Sequence, residues 1–527
     1  MNTRWFAMLG FAAALFLFVL VVQKNPSAAQ APAKQKGFCY ASWQSGEYSK
    51  VDADLALQRL AATGIEWLGL VVTRYQENIA STIITATEQT ATDADLIHVI
   101  TQAHALGLKV LLKPHVDLDN DPDHWRGQIG EAFTNEAQWA AWFSSYRSTI
   151  EHYAELAQAQ GVNQFCLGTE LVGTTGRAAD WRAVVAGVRA HFSGTVLYEA
   201  NHSGEETSIT WWDAVDYIGI SGYYPLTDKD NPTLAELKSG WERHVTALAA
   251  LAARWNKLIL FPEIGYRSQD GANRHPWEWQ TGGTVDLQEQ AQCYQAAFES
   301  LYDQPWFGGM FWWVWSPDPF DGGPCDDGFT PHDKPAEDVL RSWYGAPPRT
   351  DTTPLFPPQP DYSKTLTIYR DGLAQGWEDW SWSGTVDLAV TSPVYSGTRA
   401  ISVTLDAWGA LSLWHPAFDT GDYYWLEFYI RGAPAGQQQL WAFFHDQNDA
   451  ELRKRRVDDC RYIPGGIIDG SGWQHLLIPL EDLDAADKST VRVCLQDRSD
   501  VGASFWVDEI RLVGVVWRVY LPLLMKK

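Results

Sequence analysis

The chain is poor in basic residues, and this scarcity excludes one class of partner. Its 527 residues carry 40 lysines and arginines against 65 aspartates and glutamates, a formal net charge of −25 at pH 7. A nucleic-acid-binding protein needs clustered positive charge to neutralise phosphates. The one basic run, residues 453–456, lies between acidic stretches and is expected to be a solvated strand edge or loop. We therefore expect a neutral ligand and no nucleic-acid partner.

Cysteines are also few, and their spacing excludes common metal and redox motifs. None of the six belongs to a CxxC pair, so zinc and thioredoxin-like sites are not expected. Cys39 and Cys166 lie in apolar, strand-like runs, where a buried free thiol is the simplest interpretation. Cys460 and Cys494 are the predicted disulfide pair. We expect neither a metal nor an organic cofactor.

Long apolar runs are missing except at the N-terminus. Residues 5–22 are uncharged and apolar, Arg4 precedes them, and Ala29-Gln30-Ala31 has the A-x-A form of a cleavage site. Residues 1–36 are therefore interpreted as a signal peptide or membrane anchor with a short spacer. Cleavage is favoured, although 18 residues also suffice for an uncleaved anchor, which would be the only contact with a membrane. The protein is expected to be extracellular or attached to the cell surface.

Strand-like and helix-like segments alternate through residues 37–345. Eight such units predict a (β/α)8 barrel. The competing doubly wound sheet would usually bring a glycine-rich phosphate loop after an early strand, and none is present. The predicted strands are residues 37–42, 67–74, 109–117, 164–171, 195–201, 217–223, 258–264 and 309–315.

A second domain of different character is predicted after the barrel. Residues 346–363 contain six prolines, which favour an extended linker. Residues 364–514 read as short β-rich segments with frequent turns, typical of an all-β, jelly-roll-like sandwich, and residues 515–527 form a tail. The chain has 28 tryptophans, and indole faces suit ring stacking. Those at 377–382, 408 and 414 indicate a carbohydrate-binding module, with a structural spacer domain as the alternative.

Two glutamates follow apolar runs where a barrel places its chemistry. Glu170 closes the fourth predicted strand and Glu263 the seventh. Catalytic groups of such barrels lie at the C-terminal ends of strands, and strands four and seven face each other across the mouth. A protonated and an ionised carboxyl suffice to hydrolyse a glycosidic bond. We expect Arg74 or a tyrosine to hold Glu263 ionised, and a drier, aromatic setting to raise the pKa of Glu170.

Other polar and aromatic residues follow the predicted strands and are expected to bind substrate. Trp313 or Trp315 is predicted to form the floor beneath a sugar ring. The full predicted set is Arg74, Lys113, His115, Asp117, Trp125, Arg126, Thr169, Asn201, Tyr223, Tyr224, Trp313, Trp315 and Asp318.

Six segments, in order, resemble the clan A glycoside hydrolases, and within that clan family 113, the β-mannanases. They are LLKPHVD at 111–117, WRGQI at 125–129, FCLGTEL at 165–171, ISGYYPL at 220–226, FPEIGYRS at 261–268 and FWWVWSPDP at 311–319. The resemblance implies a retaining mechanism on β-1,4-mannan or manno-oligosaccharides. It also implies that Glu170 is the acid/base and Glu263 the nucleophile.

One position departs from the pattern. Much of clan A has Asn before the acid/base, with its amide on the sugar 2-hydroxyl, whereas this chain has Thr169. Asn201 is a candidate to supply that contact. Alternatives from the sequence are a β-galactanase, β-glucanase or xylanase, a non-catalytic surface glycan-binding protein, and a sugar-transferring enzyme. The sequence leaves the oligomeric state open, with a monomer as the expectation.

Overall fold

The computed structural model describes residues 33–279, 284–349, 359–434, 438–499 and 501–516. The predicted export segment with its cleavage site, part of the predicted linker and most of the predicted tail lie outside these ranges. Within them, no helix has both the length and the apolar character needed to cross a membrane.

Residues 35–344 form a closed barrel of eight parallel strands that pair in chain order, which confirms the predicted fold. The strands are β1 (Gln35–Tyr40), β2 (Trp67–Gln76), β3 (Lys109–Leu118), β4 (Gln164–Thr169), β5 (Thr195–Asn201), β6 (Tyr217–Ser221), β7 (Ile259–Ile264) and β8 (Phe307–Trp315). The helices between and after them are α1 (Val51–Ala61), α2 (Asp93–Ala105), α3 (Glu136–Ala159), α4 (Ala178–His191), α5 (Glu205–Ser208), α6 (Leu234–Trp255), α7 (Leu287–Leu301) and α8 (Pro335–Tyr344).

Alternating side chains along the strands separate two apolar layers. One set packs between strands and helices in the larger core. The other points into the barrel, where a small cluster fills the space below the mouth. Its buried members are Cys39, Leu111, Cys166, Leu197, Leu260 and Phe311. Cys39 and Cys166 are buried free thiols, as predicted.

The fifth β/α unit lacks a full helix. Between β5 and β6 the structure has the four-residue α5 and a 3-10 turn at Trp212–Ala214. Trp211 and Trp212 are completely buried and belong to the larger core. The Trp211 ring stacks on Trp181 of α4, with centroids 5.2 Å apart. Packing of large aromatic rings thus stabilises this unit, in which the helix is short.

The C-terminal region is a separate antiparallel β domain, also as predicted. Its strands are β9 (Gln359–Tyr369), β10 (Glu378–Asp379), β11 (Trp382–Val390), β12 (Ala400–Asp419), β13 (Trp425–Gly432), β14 (Leu440–Asp446), β15 (Arg455–Arg456), β16 (Gln474–Pro479), β17 (Ser489–Asp497) and β18 (Ala503–Val516). The first part of β12 pairs with β18, and its second part pairs with β17. This long strand therefore joins the two halves of one ten-stranded sheet, and the buried side chains of the domain form one apolar core.

A disulfide and ion pairs join the two domains. The bridge is Cys325–Cys460, so the predicted Cys460–Cys494 pair is wrong. Cys494 is a buried free thiol on β17. Sequence spacing favoured a pair within one domain, whereas the contact between the domains places the β8–α8 loop against the segment after β15.

The basic run at 453–456 also belongs to this contact. Part of it forms the edge strand β15, but Arg453 pairs with Asp52 and Arg455 with Asp318, at 2.9 Å in the second case. Because Arg455 is 3% exposed, the expectation of a solvated run is wrong for this residue.

Candidate functional site

Strand register places the two glutamates at one level of the barrel mouth. Thr169, the last residue of β4, pairs with Glu199 of β5. Asn201 of β5 pairs with Ser221 of β6, which pairs with Glu263 of β7. Four consecutive strands thus present their ends side by side, with Glu170 and Glu263 at the two ends of the row.

The backbone at Glu170 has an uncommon conformation that ends its strand. Its φ of 55° lies in the left-handed region, which is uncommon for a residue with a side chain. The amide N–H donates to the Glu199 carbonyl at 2.8 Å and holds this turn in place. We predicted that the strand continued to residue 171, but the turn ends β4 at Thr169. Strained backbone of this kind is frequently found at functional sites.

Glu263 is buried and held by a cation. Its Oε1 accepts from the Lys113 ammonium at 2.7 Å, and its Oε2 accepts from the Tyr223 hydroxyl at 3.2 Å. Only 5% of the residue is exposed. A buried carboxylate is costly unless it is paired and hydrogen-bonded. The ammonium and the hydroxyl therefore compensate for the burial of this carboxyl group.

Glu199 is a third carboxyl beneath this pair, and the sequence analysis missed it. It is completely buried, and its Oε2 lies 2.9 Å from the Lys113 ammonium. The hydroxyls of Thr169 and Ser221 each donate to it at 3.2 Å. Burial raises the pKa of Glu199, against the lowering effect of Lys113. Side chains two residues apart on a strand point to the same side, so Glu199 faces inward like Asn201. This was the one sequence signal that could have identified it.

His115 and Arg126 form the wall beside Glu263. The Arg126 Nη1 donates to His115 Nδ1 at 3.0 Å, and its Nη2 donates to Asp117 at 2.8 Å. Because arginine only donates, the proton of a neutral His115 lies on Nε2, which faces Glu263 Oε1 at 3.5 Å. Burial, together with the charges of Arg126 and Lys113, holds the pKa of His115 well below its usual range. The ring therefore stays neutral at ordinary pH.

Glu170 has different surroundings from Glu263. Its carboxyl is half-buried and accepts from the Asn201 amide at 2.9 Å. Asn201 is oriented in turn, because Ser203 N–H donates to its carbonyl at 2.9 Å. Burial and the charge of Glu263 raise the pKa of Glu170, while Arg126 and Asn201 oppose this rise. A carboxyl with a raised pKa is suited to donate a proton.

Aromatic rings border the two carboxyls. Trp313 of β8 lies parallel to the His115 ring, with centroids 6.4 Å apart, and the Lys113 ammonium is 5.9 Å from its centroid. Trp43, in the loop after β1, meets Trp313 edge-on at 6.1 Å and is 45% exposed. The sequence analysis did not select Trp43. Trp125 is 43% exposed and packs over Gly127. These surfaces suit the flat faces of sugar rings.

Four predicted residues have their contacts elsewhere. Arg74 points outward and donates to Tyr153 of α3 at 3.0 Å. Its neighbour Thr73 is paired with His115 and faces inward like it, so the next side chain along β2 faces outward. Tyr224 packs against His244 of α6, and Trp315 packs edge-on against Phe38 in the helix-facing core. Asp318 accepts from Arg455 of the second domain. Of the two predicted floor tryptophans, the structure therefore brings only Trp313 to the carboxyls.

Three side chains here have the spacing of a metal site. Ligand atoms of His115, Glu199 and Glu263 lie within 4.8 Å of one another. The Lys113 ammonium, however, bridges the two carboxylates. The positive charge that these carboxylates require is thus supplied by the protein chain.

The barrel is similar to a family of glycoside hydrolases and to members of known structure. The model of Glycoside Hydrolase Family 113 matches residues 37–334. A family 113 β-mannanase from Alicyclobacillus acidocaldarius, solved in complex with ManMIm, is 33% identical with a TM-score of 0.53, over 59% of this chain and 97% of that one. A complex of a family 113 β-1,4-mannanase is 30% identical with a TM-score of 0.54, over 60% of this chain and 99% of the other.

A curated relative matches over a shorter stretch. An endoglucanase from Dictyostelium discoideum is 38% identical over 150 residues, 28% of this chain and 21% of the relative. The chain therefore spans about a fifth of the length of that protein.

Proposed function

The chain belongs to Glycoside Hydrolase Family 113, and we propose that it hydrolyses β-1,4-mannan or manno-oligosaccharides with retention of anomeric configuration. The β-mannanases to which its barrel is similar support this choice of substrate. The observation that carries the mechanism is the contrast between the cation-bound Glu263 and Glu170, whose pKa is raised.

In the first step, Glu263 acts as the nucleophile. One of its carboxylate oxygens attacks the anomeric carbon as the bond to the leaving sugar breaks. Glu170 transfers its proton to the leaving oxygen. Lys113 and Tyr223 hold Glu263 in position by hydrogen bonds of 2.7 and 3.2 Å, and His115 Nε2 lies 3.5 Å from its Oε1.

In the second step, water releases the sugar. Glu170, now ionised, removes a proton from water as the oxygen attacks the anomeric carbon, and the bond to Glu263 breaks. Both carboxyls return to their starting states. Asn201, which already donates one N–H to Glu170, is proposed to contact the 2-hydroxyl with the other. Thr169 is not available for this contact, because its hydroxyl donates to Glu199.

Reducing-sugar release from a panel of mannan, galactan, xylan and β-glucan tests the substrate. We expect the highest kcat/KM on mannan. The endoglucanase relative makes β-glucan the second candidate. Activity on glucan without activity on mannan would contradict the proposal.

We further propose that the protein is exported, through its N-terminal apolar segment, and that the β domain binds polysaccharide. Trp380 is 43% exposed and stacks on Trp414, with centroids 4.7 Å apart. Such a pair offers an indole face to a sugar ring. Trp380→Ala should reduce retention on insoluble mannan, whereas turnover of soluble oligosaccharides should not change. Equal retention of variant and parent would support the spacer alternative.

A further inference from the structure

A cavity of about 160 Å³ lies where the two domains meet. The β8–α8 loop supplies Phe320 and Asp321, and the β domain supplies Trp441, Arg455, Arg456 and Asp458. The Cys325–Cys460 disulfide forms part of its lining. Pockets for drug-sized ligands have volumes of about 300–1,000 Å³, so this smaller cavity suits a single ring.

Two arginines in the lining have donors that remain unused. Arg455 is 3% exposed, and its Nη2 finds no acceptor within the described parts of the chain. The buried Nε of Arg456 is likewise unpaired among those residues. A buried donor without a partner is unfavourable, because it has lost its hydrogen bonds to water. These groups therefore favour a ligand that brings acceptor oxygens.

The charges around the cavity are largely balanced. Arg455 pairs with Asp318, Arg456 with Asp458 and Arg461 with Asp459. Burial raises the pKa of Asp321 to about 7, and the neighbouring acids Asp326 and Asp318 add to this rise. A balanced lining does not suit a strongly anionic ligand or a divalent cation. Free N–H donors, a carboxyl group and an indole ring are the groups that recognise sugar hydroxyls and a sugar face.

The cavity lies on the rim of the barrel mouth. Its loop leaves the C-terminal end of β8, the strand that carries Trp313. Arg453 of the β domain pairs with Asp52 in the first turn of α1, also at this end of the barrel. A polysaccharide chain that is bound at the mouth and extends past the end of β8 would reach this side of the barrel.

We propose that this cavity between the domains is a distal subsite for one neutral pyranose unit of the polysaccharide, formed jointly by the barrel and the β domain. The inference rests on the proposed function for the identity of the sugar. About 60% of this chain is enough to cover almost the whole length of the family 113 mannanases described above. The subsite would therefore be a property of the two-domain chain.

The test is binding of manno-oligosaccharides to the full chain carrying Glu263→Gln, measured by calorimetry. Trp441→Ala or Arg456→Ala should weaken mannohexaose binding about tenfold and leave mannobiose binding unchanged. With Glu263 restored, the same variants should raise KM for mannohexaose without changing kcat. Arg399→Ala, which removes an exposed arginine of the same domain, is the matched control.

Two other outcomes are decisive. If both cavity variants keep parental mannohexaose affinity, or lower only the melting temperature, the cavity is a packing feature and the proposal is wrong. In the other outcome, the parent binds no manno-oligosaccharide and binds fragments of another polysaccharide from the substrate panel. That result would contradict the proposed substrate. The same variants measured with those fragments then decide the subsite separately.

Discussion

The carboxyl groups at the two ends of the row of strands have different surroundings. On β7, Glu263 is buried against an ammonium and a tyrosine hydroxyl. At the end of β4, Glu170 is half-buried and contacts a neutral amide. The first setting pairs the carboxyl group with a cation, and in the second the pKa of the carboxyl group is raised. The two carboxyls of one mouth thus have different surroundings, and double displacement requires an acid and a nucleophile.

Removing the proposed nucleophile should have the largest effect. Glu263→Gln leaves no nucleophile, so kcat on mannan should fall roughly 10⁴-fold or more, while binding persists. Glu278→Gln, which removes an exposed glutamate after the same strand, is the control. Turnover within tenfold of the parent would show that Glu263 is not the nucleophile.

Removing the protonated acid should have a smaller effect that depends on the leaving group. Glu170→Gln should lower kcat on mannan about 10²–10⁴-fold. An aryl mannoside with an acidic leaving group needs less protonation, so its first step should be affected much less. Burst kinetics with both substrates measure this difference. Equal losses in the first step would exclude a proton-donating role.

The cation beneath Glu263 can be tested through stability as well as rate. Lys113→Met leaves Glu199 and Glu263 buried without their shared ammonium, and breaking a buried pair costs about 3–5 kcal/mol. Denaturant unfolding should show this loss, together with a large fall in kcat. The double variant Lys113→Met, Glu199→Gln removes one of the two acids and should recover part of the stability. No recovery would contradict the shared-cation account.

The smallest expected effect is a shift in the pH profile. Arg126 lowers the pKa of Glu170 through its charge, so Arg126→Gln should raise that pKa further. Since the first step needs protonated Glu170, the rate falls as pH rises through this pKa. The alkaline limb of kcat/KM should therefore move to higher pH. A limb that moves to lower pH would contradict the assigned role.

The sequence predicted the barrel well because each strand is a short apolar run between polar turns. It also placed Glu170 directly after the fourth strand and Glu263 near the end of the seventh, since both lie at the ends of such runs. It could not assign Arg74, because the side of the strand that a residue faces depends on register. Lys113 was selected without its partner Glu199, because that pairing depends on contact between β3 and β5. The Cys325–Cys460 bridge depends on how two domains meet, which spacing within one chain does not encode.

Trapping of the covalent intermediate tests the central contrast most directly. A 2-fluoro-mannosyl reagent with a good leaving group should label the enzyme, and peptide mass spectrometry should locate the sugar on Glu263. A label on Glu170, or first-formed products of inverted configuration, would contradict the assignment of the two carboxyls.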